Sequence, residues 1–248
     1  MLSRSAFAGV MCLLVAGTAQ AATVAENSSA ANIPETTALA VAFGHDMKPQ
    51  TGFDASAQVD KGFDLIRSGK QAKAVRVFDS VIASANRYLA SDPRAPLCRS
   101  DRTAPGATDD SVVLVDGAVC DAHFGKGFAL IDLGRGDLAE SELRKATEMA
   151  PGNAHFANEY AELFKSRREW QESYDLFAHA WAIVDKDKDG PDASLAARAL
   201  RGMGYNKIQL GDLDSAQRLF VQSQEFEPDS EAARIELGYI ARKKAIGS

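Results

Sequence analysis

Four stretches of this 248-residue chain repeat one spacing of small and large residues. Each begins with a small residue, carries a second small residue twelve positions later, and has a large apolar residue four positions after that. A single unit of this kind cannot bury its apolar face alone, so the units must stack. The stretches are GFDLIRSGKQAKAVRVFDSV from Gly62, GFALIDLGRGDLAESELRKA from Gly127, AELFKSRREWQESYDLFAHA from Ala161 and GYNKIQLGDLDSAQRLFVQS from Gly204.

Each stretch is predicted to form two antiparallel helices. Three copies have a glycine between the two halves, at Gly69, Gly134 and Gly211, where a positive φ ends a helix; the third copy has Arg168 there. The internal small residues let the two helices approach closely, and the large residues fill the seam to the next unit. The small residues are Ala74, Ala139, Ser173 and Ala216, and the large ones are Phe78, Leu143, Phe177 and Phe220.

This pattern resembles the tetratricopeptide repeat (TPR) family. Ala146 and Ala180 occupy equivalent positions 34 residues apart, which is that family's period, and Pro151 and Pro228 stand at the family's closing proline. The resemblance covers residues 55–248. It implies an all-α fold: a right-handed α-solenoid of four TPR-like helix pairs plus a C-terminal capping helix, with one disulfide-closed insertion.

On this register the domain divides into four repeats, two insertions and a cap. The repeats are expected at about 55–88, 120–153, 154–187 and 197–230, the insertions at 89–119 and 188–196, and the capping helix at 231–245. The cap turns polar towards its end, as a helix that ends a stack must.

The first residues, MLSRSAFAGVMCLLVAGTAQA, have the features of a secretory signal peptide. Arg4 supplies the positive charge, a short apolar run follows, and Ala19-Gln20-Ala21 is a small-residue cleavage motif. Residues 1–21 are therefore predicted to be removed, which places the chain in the periplasm or outside the cell. Residues 22–54 show no sustained helical period and are expected to form a disordered leader.

Two cysteines remain after this cleavage, Cys98 in the first insertion and Cys120 at the start of the second repeat. Cys98 and Cys120 predict a disulfide in an oxidising compartment, which stabilises the fold by roughly 3 kcal/mol. A metal site that adds His123 is the alternative, but it lacks a fourth ligand and the usual cysteine spacing. The segment SVVLVDGAV predicts a short hairpin through its Asp-Gly. Two roles for the first insertion stay open: a flap that contacts a partner, or a family-specific addition to the fold.

The second insertion includes DKDKDG, which has the first half of a calcium-binding loop. Asp185, Asp187 and Asp189 would be ligands one, three and five. Position twelve, where a bidentate Glu closes such a site, is Ala196. The sequence favours a solvated turn between the third and fourth repeats, with calcium as the alternative.

The sequence contains no recognisable catalytic motif. It has no Gly-rich phosphate loop, no Gly-x-Ser-x-Gly and no Cys-x-x-Cys, and its four histidines lack the spacing of a metal pair. We therefore expect no enzymatic activity and no cofactor. Loss of residues 1–21 moves the formal net charge from −6 to −7, which argues against nucleic acid as a partner. No second apolar stretch is long enough to cross a bilayer.

The first helix of each unit lines the concave side of such a stack, and in the resembled family it carries the partner contacts. The resulting groove would be aromatic at its amino end and basic at its carboxyl end, where Arg198 and Arg201 would grip a peptide carboxylate. Phe63, Phe124 and Phe128 alternatively complete the core. The groove residues implied are Phe63, Phe124, Phe128, Asn158, Lys165, Arg198, Arg201, Tyr205, Tyr239 and Arg242.

The function predicted from these features is an exported scaffold that binds a protein or peptide segment in its concave groove, without chemistry. Two alternatives stay open. One is a calcium-responsive envelope protein that uses the DKDKDG loop, and the other is a stable subunit of a secretion, pilus or polysaccharide assembly. The identity of the protein partner is not set by the sequence.

Overall fold

The computed structural model describes residues 53–101 and 110–247, all within one compact unit. The predicted signal peptide lies outside the described residues, as does the predicted leader except for Phe53 and Asp54. The elements are α1 (Ala55–Arg67), α2 (Gln71–Leu89), β1 (Ala95–Cys98), β2 (Val112–Val115), α3 (Gly117–Asp132), α4 (Gly136–Met149), α5 (Ala154–Ser166), α6 (Trp170–Ile183), α7 (Ala193–Gln209), α8 (Leu213–Ser223) and α9 (Glu231–Gly247).

Eight of these helices form four antiparallel pairs, each joined by a tight turn. The turn residue has a positive φ in every pair: 70° at Gly69, 71° at Gly134, 84° at Gly211 and 63° at Arg168. Three of the four turns thus use the residue without a Cβ that this conformation favours. The third pair forms the same turn although Arg168 carries a side chain.

The pairs stack through both of their helices. The second helix of one pair packs on the first helix of the next, as α2 does on α3, α4 on α5 and α6 on α7. First helices also contact one another, α1 with α3, α5 with α7, and α7 with the terminal helix α9. The chain is therefore an all-α solenoid whose first helices make up one inner face, as the repeat pattern predicted.

Glycines allow the seam phenylalanines to lie directly against the neighbouring helix. Phe78 of α2 is fully buried between α1 and α3, and a Cβ added at Gly62 or Gly125 would lie 2.4 Å from its ring. Gly202 of α7 lies against Phe177 of α6 in the same way, because a Cβ added at Gly202 would lie 2.5 Å from the Phe177 ring. The predicted seam is confirmed, and its close packing depends on glycine in the following unit as well as within the unit.

The first insertion differs from the predicted hairpin. Strands β1 and β2 are parallel, with Ala95 opposite Val112 and Cys98 opposite Val115. The Asp-Gly of SVVLVDGAV makes no turn between strands, because Asp116 caps α3 and accepts a hydrogen bond from the Ala118 amide at 2.8 Å. The prediction of a hairpin was wrong: an Asp before Gly also suits a helix start.

The insertion is fastened to the repeats at two places. Cys98, at the end of β1, and Cys120, in α3, form the predicted disulfide with their Cα atoms 6.5 Å apart. Just beyond β1, Asp101 accepts a hydrogen bond from the Gly152 amide in the α4–α5 turn at 2.9 Å. The strands therefore lie against the junction of the second and third pairs. None of the described helices is both long and apolar enough to cross a bilayer.

Candidate functional site

The aromatic residues predicted for the amino end of the groove mostly complete the core. Phe124 is 7% exposed and its ring stacks 4.8 Å from that of Phe156 on α5. Phe63 contacts Phe78 edge-on, with ring centres 5.4 Å apart. Phe128 keeps 36% of its surface exposed. Of these predicted contacts, only Phe128 presents a substantial apolar surface to a partner.

Three other predicted groove residues also lie away from an open inner cleft. Asn158 is fully buried and donates its amide to the carbonyl of Leu195 at 3.2 Å, which ties α5 to the start of α7. Tyr239 is half-buried on α9, where Lys243 covers its ring, and Arg242 is exposed one turn further on. Neither of these two lines the cleft described next.

The remaining four predicted residues come together in one cleft of about 310 Å³ between α5, α7 and α9. This volume is at the lower end of the range of about 300–1,000 Å³ typical of ligand pockets. Its walls are polar and charged, with an aromatic ring and a seam glycine among them. The cleft is lined by Glu162, Lys165, Arg198, Arg201, Gly202, Tyr205, Phe220, Ala232 and Glu236.

Both arginines of the cleft are already paired with carboxylates of the protein. Arg198 hydrogen-bonds Glu159 on α5 and lies 3.9 Å from Glu162, whereas Arg201 hydrogen-bonds Glu227, in the turn before α9. Burial lowers the pKa of Arg198, but the hydrogen bond to Glu159 and the charges of Glu159 and Glu162 together raise it by more, so that the pKa is raised overall. These pairs fix the arginine side chains across neighbouring helices.

The cleft's lysine is held in a comparable way. Lys165 pairs with Glu162 one turn earlier on α5, and its ammonium lies 5.4 Å from the ring centre of Tyr205 and 5.8 Å from that of Phe177. A cation near the face of an aromatic ring is attracted by the ring's quadrupole. Lys165 and Tyr205 therefore form one preorganised wall of the cleft.

Sequence reasoning missed the carboxylates that hydrogen-bond the two arginines of this cleft. It assigned Arg198 and Arg201 but not their partners Glu159 and Glu227, nor Glu236 of the terminal helix. Opposite charges at facing positions of adjacent helices are the available signal, because Glu159 and Glu162 lie one turn apart, as do the two arginines.

A further side-chain cluster lies between α2, α3 and α4. His123 Nδ1 lies 2.7 Å from Glu142, and Lys126 bridges Glu142 at 2.7 Å and Asp79 at 2.8 Å. Burial raises the pKa of Glu142, but the hydrogen bonds and the charges of His123 and Lys126 together lower it by more. The cluster joins three helices of two successive repeats and so holds these repeats together.

The two insertions meet at a second cavity of about 370 Å³. Asp101 lines it from the first insertion and Pro191 from the second, with Asp121 of α3 between the repeats. Burial, together with the charges of Asp116 and Asp60, raises the pKa of Asp121. Among the residues that the structure describes, no group of three side chains is arranged to hold a metal ion.

Two carboxylates of the DKDKDG loop, those of Asp185 and Asp187, accept hydrogen bonds within the loop. Asp185 accepts a hydrogen bond from the Asp187 amide at 3.0 Å, and Asp187 accepts one from the Asp189 amide at 3.1 Å. Lys188 pairs with Glu225 on the neighbouring repeat at 2.6 Å. These bonds are those of a tight polar turn.

Comparison with known proteins gives a result for structure alone. The sequence matches no protein-family model and no curated protein. Among solved structures, the chain is similar to PilF of Pseudomonas aeruginosa, with a TM-score of 0.55, 17% identity, and 77% of this chain and 69% of that chain covered. It is also similar to MamA, with a TM-score of 0.54 and 15% identity, over 77% of this chain and 82% of the MamA chain. A tetratricopeptide repeat protein of Parabacteroides merdae has a TM-score of 0.54, 14% identity and coverage of 77% and 60%.

The chain has a TPR-like fold. At these identities the likeness extends to the fold and not to a partner or activity. Within the TPR-like fold, the cleft between α5, α7 and α9 lies on the inner face formed by the first helices. Its ion pairs and aromatic wall are suited to recognising another molecule by shape and charge.

Proposed function

We propose that this chain is an exported, non-catalytic scaffold that holds a segment of another protein against the inner face of its TPR-like stack. The observation that carries this proposal is the cleft between α5, α7 and α9, in which Lys165, Arg198, Arg201 and Tyr205 converge. A cleft of about 310 Å³ takes a single anchoring side chain, while the exposed inner surface on either side contacts the rest of the segment.

Preorganisation supports binding at this place. The three cations are fixed by ion pairs before any ligand arrives. A partner therefore meets side chains whose conformational freedom is already restricted, which reduces the entropic cost of association.

The proposal of export is supported by the signal-like residues 1–21 and by the buried Cys98–Cys120 disulfide. Structural disulfides persist in oxidising compartments and are rare in the cytosol of most organisms. Both features support the proposal of a periplasmic or secreted location.

Site-specific photo-crosslinking tests the binding proposal. A benzophenone side chain replaces Tyr205 in the cleft or, as a control, Val221, which is 50% exposed on α8 outside the cleft. The chain is irradiated in an envelope extract of the cell that produces it, and linked proteins are identified by mass spectrometry. We expect a defined adduct from position 205 that position 221 does not give. Equal adducts from both positions, or none from position 205, would contradict the proposal.

Charge reversal at Arg198 and Arg201 is a less specific test. Because these residues pair with Glu159 and Glu227, a Glu at either position would place two carboxylates together and disturb the packing of the helices. Loss of partner binding would then not distinguish a damaged cleft from a destabilised repeat.

A further inference from the structure

Within the described part of the chain, one carboxylate at the cleft has no salt-bridge partner. The cations of the cleft are Lys165, Arg198 and Arg201, and each is held by a carboxylate of the protein. Glu162 and Glu236 line the cleft together with these cations, whereas Glu159 and Glu227 pair with the two arginines without lining it. Once these three cations are paired with Glu162, Glu159 and Glu227, one of the four carboxylates is left without a salt-bridge partner among the residues that the structure describes.

The carboxylate left over belongs to Glu236. This residue projects from α9 into the cleft and is half-buried. Within residues 53–101 and 110–247 it forms no ion pair and no side-chain hydrogen bond, whereas Glu159, Glu162 and Glu227 each do. Burial raises the pKa of Glu236, and the charge of Lys165 offsets part of that rise. A partly desolvated carboxylate that forms no salt bridge or side-chain hydrogen bond is stabilised when a cation binds beside it.

We infer that the cleft receives a basic side chain, Lys or Arg, of the bound protein segment, with Glu236 as its carboxylate partner. This inference rests on the proposed function and specifies which residue type the segment presents. The Tyr205 ring, one wall of the same cleft, offers an apolar surface to the methylene groups of that side chain.

An acidic ligand fits the cleft less well. Its carboxylate would approach Glu236 and would have to compete with Glu159, Glu162 and Glu227 for the three cations of the cleft. Arginines that are already hydrogen-bonded within the protein offer a new anion less than free ones do. The pairing of the arginines thus reverses the ligand charge that the sequence suggested.

Selection from a display library of random dodecapeptides tests the inference. The purified chain is the target, and the most enriched peptide is then measured by calorimetry against two variants of α9. Glu236→Gln removes the cleft carboxylate while keeping its size. Glu231→Gln is the control, because Glu231 is exposed on the same helix, pairs with Arg234 and does not line the cleft.

We expect selected peptides to share a Lys or Arg. Replacing that residue by Gln should weaken binding roughly 10- to 100-fold, as for the loss of a charged hydrogen bond. Glu236→Gln should weaken it to a similar degree, with little further loss when both changes are combined. Glu231→Gln should bind like the parent chain.

Three results would overturn the inference. Selected peptides that share Asp or Glu and bind Glu236→Gln more tightly than the parent chain would show that the ligand is acidic. Peptides that bind Glu236→Gln and the parent chain with equal affinity would show that Glu236 has no role in binding. Either result leaves the proposed function intact. Failure to enrich any peptide would count against the proposed function itself, and the inference would fail with it.

Discussion

The side-chain amide of Asn206 on α7 donates a hydrogen bond to Ser173 Oγ on α6 over 2.8 Å. Both side chains are fully buried, and Ser173 in turn donates to the Ala161 carbonyl of α5 at 3.0 Å. Three helices of two successive repeats are thereby connected through one hydroxyl group. Ser173, where the other repeats have Ala, is therefore matched by Asn206 in the following repeat.

The first prediction concerns this pair. Ser173→Ala leaves the buried Asn206 amide without its acceptor and should lower the free energy of unfolding by about 1–3 kcal/mol. Asn206→Ala should also destabilise the fold, but in the double variant the second loss should be smaller by about 1 kcal/mol, since the two groups interact. Urea denaturation of the four proteins measures this coupling. Additive losses would show that the hydrogen bond contributes nothing of its own.

A second prediction follows from the turn at Arg168, which has a φ of 63°. A side chain in this conformation is strained by about 1–2 kcal/mol, and a glycine removes this strain. Glycine also raises the conformational entropy of the unfolded chain, which offsets part of the gain in stability. Arg168→Gly should therefore raise the free energy of unfolding by about 0.5–1 kcal/mol. Gly134→Arg, at the equivalent turn of the second repeat, should lower it. Equal stability of Arg168→Gly and the parent chain would mean that this turn carries no strain.

The third prediction compares two helical glycines. A methyl group at Gly202 would lie 2.5 Å from the buried ring of Phe177, so Gly202→Ala should destabilise the chain by about 1–3 kcal/mol. At Gly238 the nearest atom lies 3.5 Å away, at the end of Arg242, so Gly238→Ala should stabilise α9 by roughly 0.5–1 kcal/mol. Thermal or urea unfolding distinguishes the two. A loss of equal size at both positions would indicate that helix context, and not the seam, sets the cost.

Local and repeated features were predictable from the sequence. The turn glycines, the seam residues and the cysteine pair each depend on spacing along the chain, which the sequence displays directly. The parallel pairing of β1 with β2 and the ion pairs of Arg198 and Arg201 depend on contacts between distant segments. Arg198 meets Glu159 across 39 residues and Arg201 meets Glu227 across 26, so spacing along the chain does not show that these arginines have partners within the protein.

The fourth prediction concerns the disulfide between Cys98 and Cys120, which closes a loop with a sequence separation of 22. Replacing both cysteines by Ala should lower the free energy of unfolding by roughly 3 kcal/mol, according to the chain-entropy model. Hydrogen exchange should also quicken at the Gly152 amide, because Asp101 is held near it by the same insertion. A reducing agent should destabilise the parent chain and leave the variant unchanged. A variant as stable as the parent would show that β1 is held by packing alone.

The last prediction is a pH dependence that originates at His155. Burial lowers the pKa of His155, the charge of Arg198 lowers it further, and Glu159 opposes both. The imidazole ring also packs against Phe124, with ring centres 4.9 Å apart. Because the folded pKa lies below the unfolded value of about 6.5, the unfolded chain binds the proton more readily than the folded chain. The stability of the fold is therefore complete above that value and declines as the pH falls from it towards the folded pKa.

Urea unfolding at pH 7.5 and pH 5.5 measures this decline. His155→Phe keeps an aromatic ring beside Phe124 but cannot bind a proton, so the difference in free energy of unfolding between the two pH values should shrink. His179→Gln is the control, because His179 is exposed on α6 and should leave the difference nearly as in the parent chain. A difference that persists undiminished in His155→Phe would place the acid sensitivity elsewhere, and the Glu142 cluster between α2, α3 and α4 would be the next group to substitute.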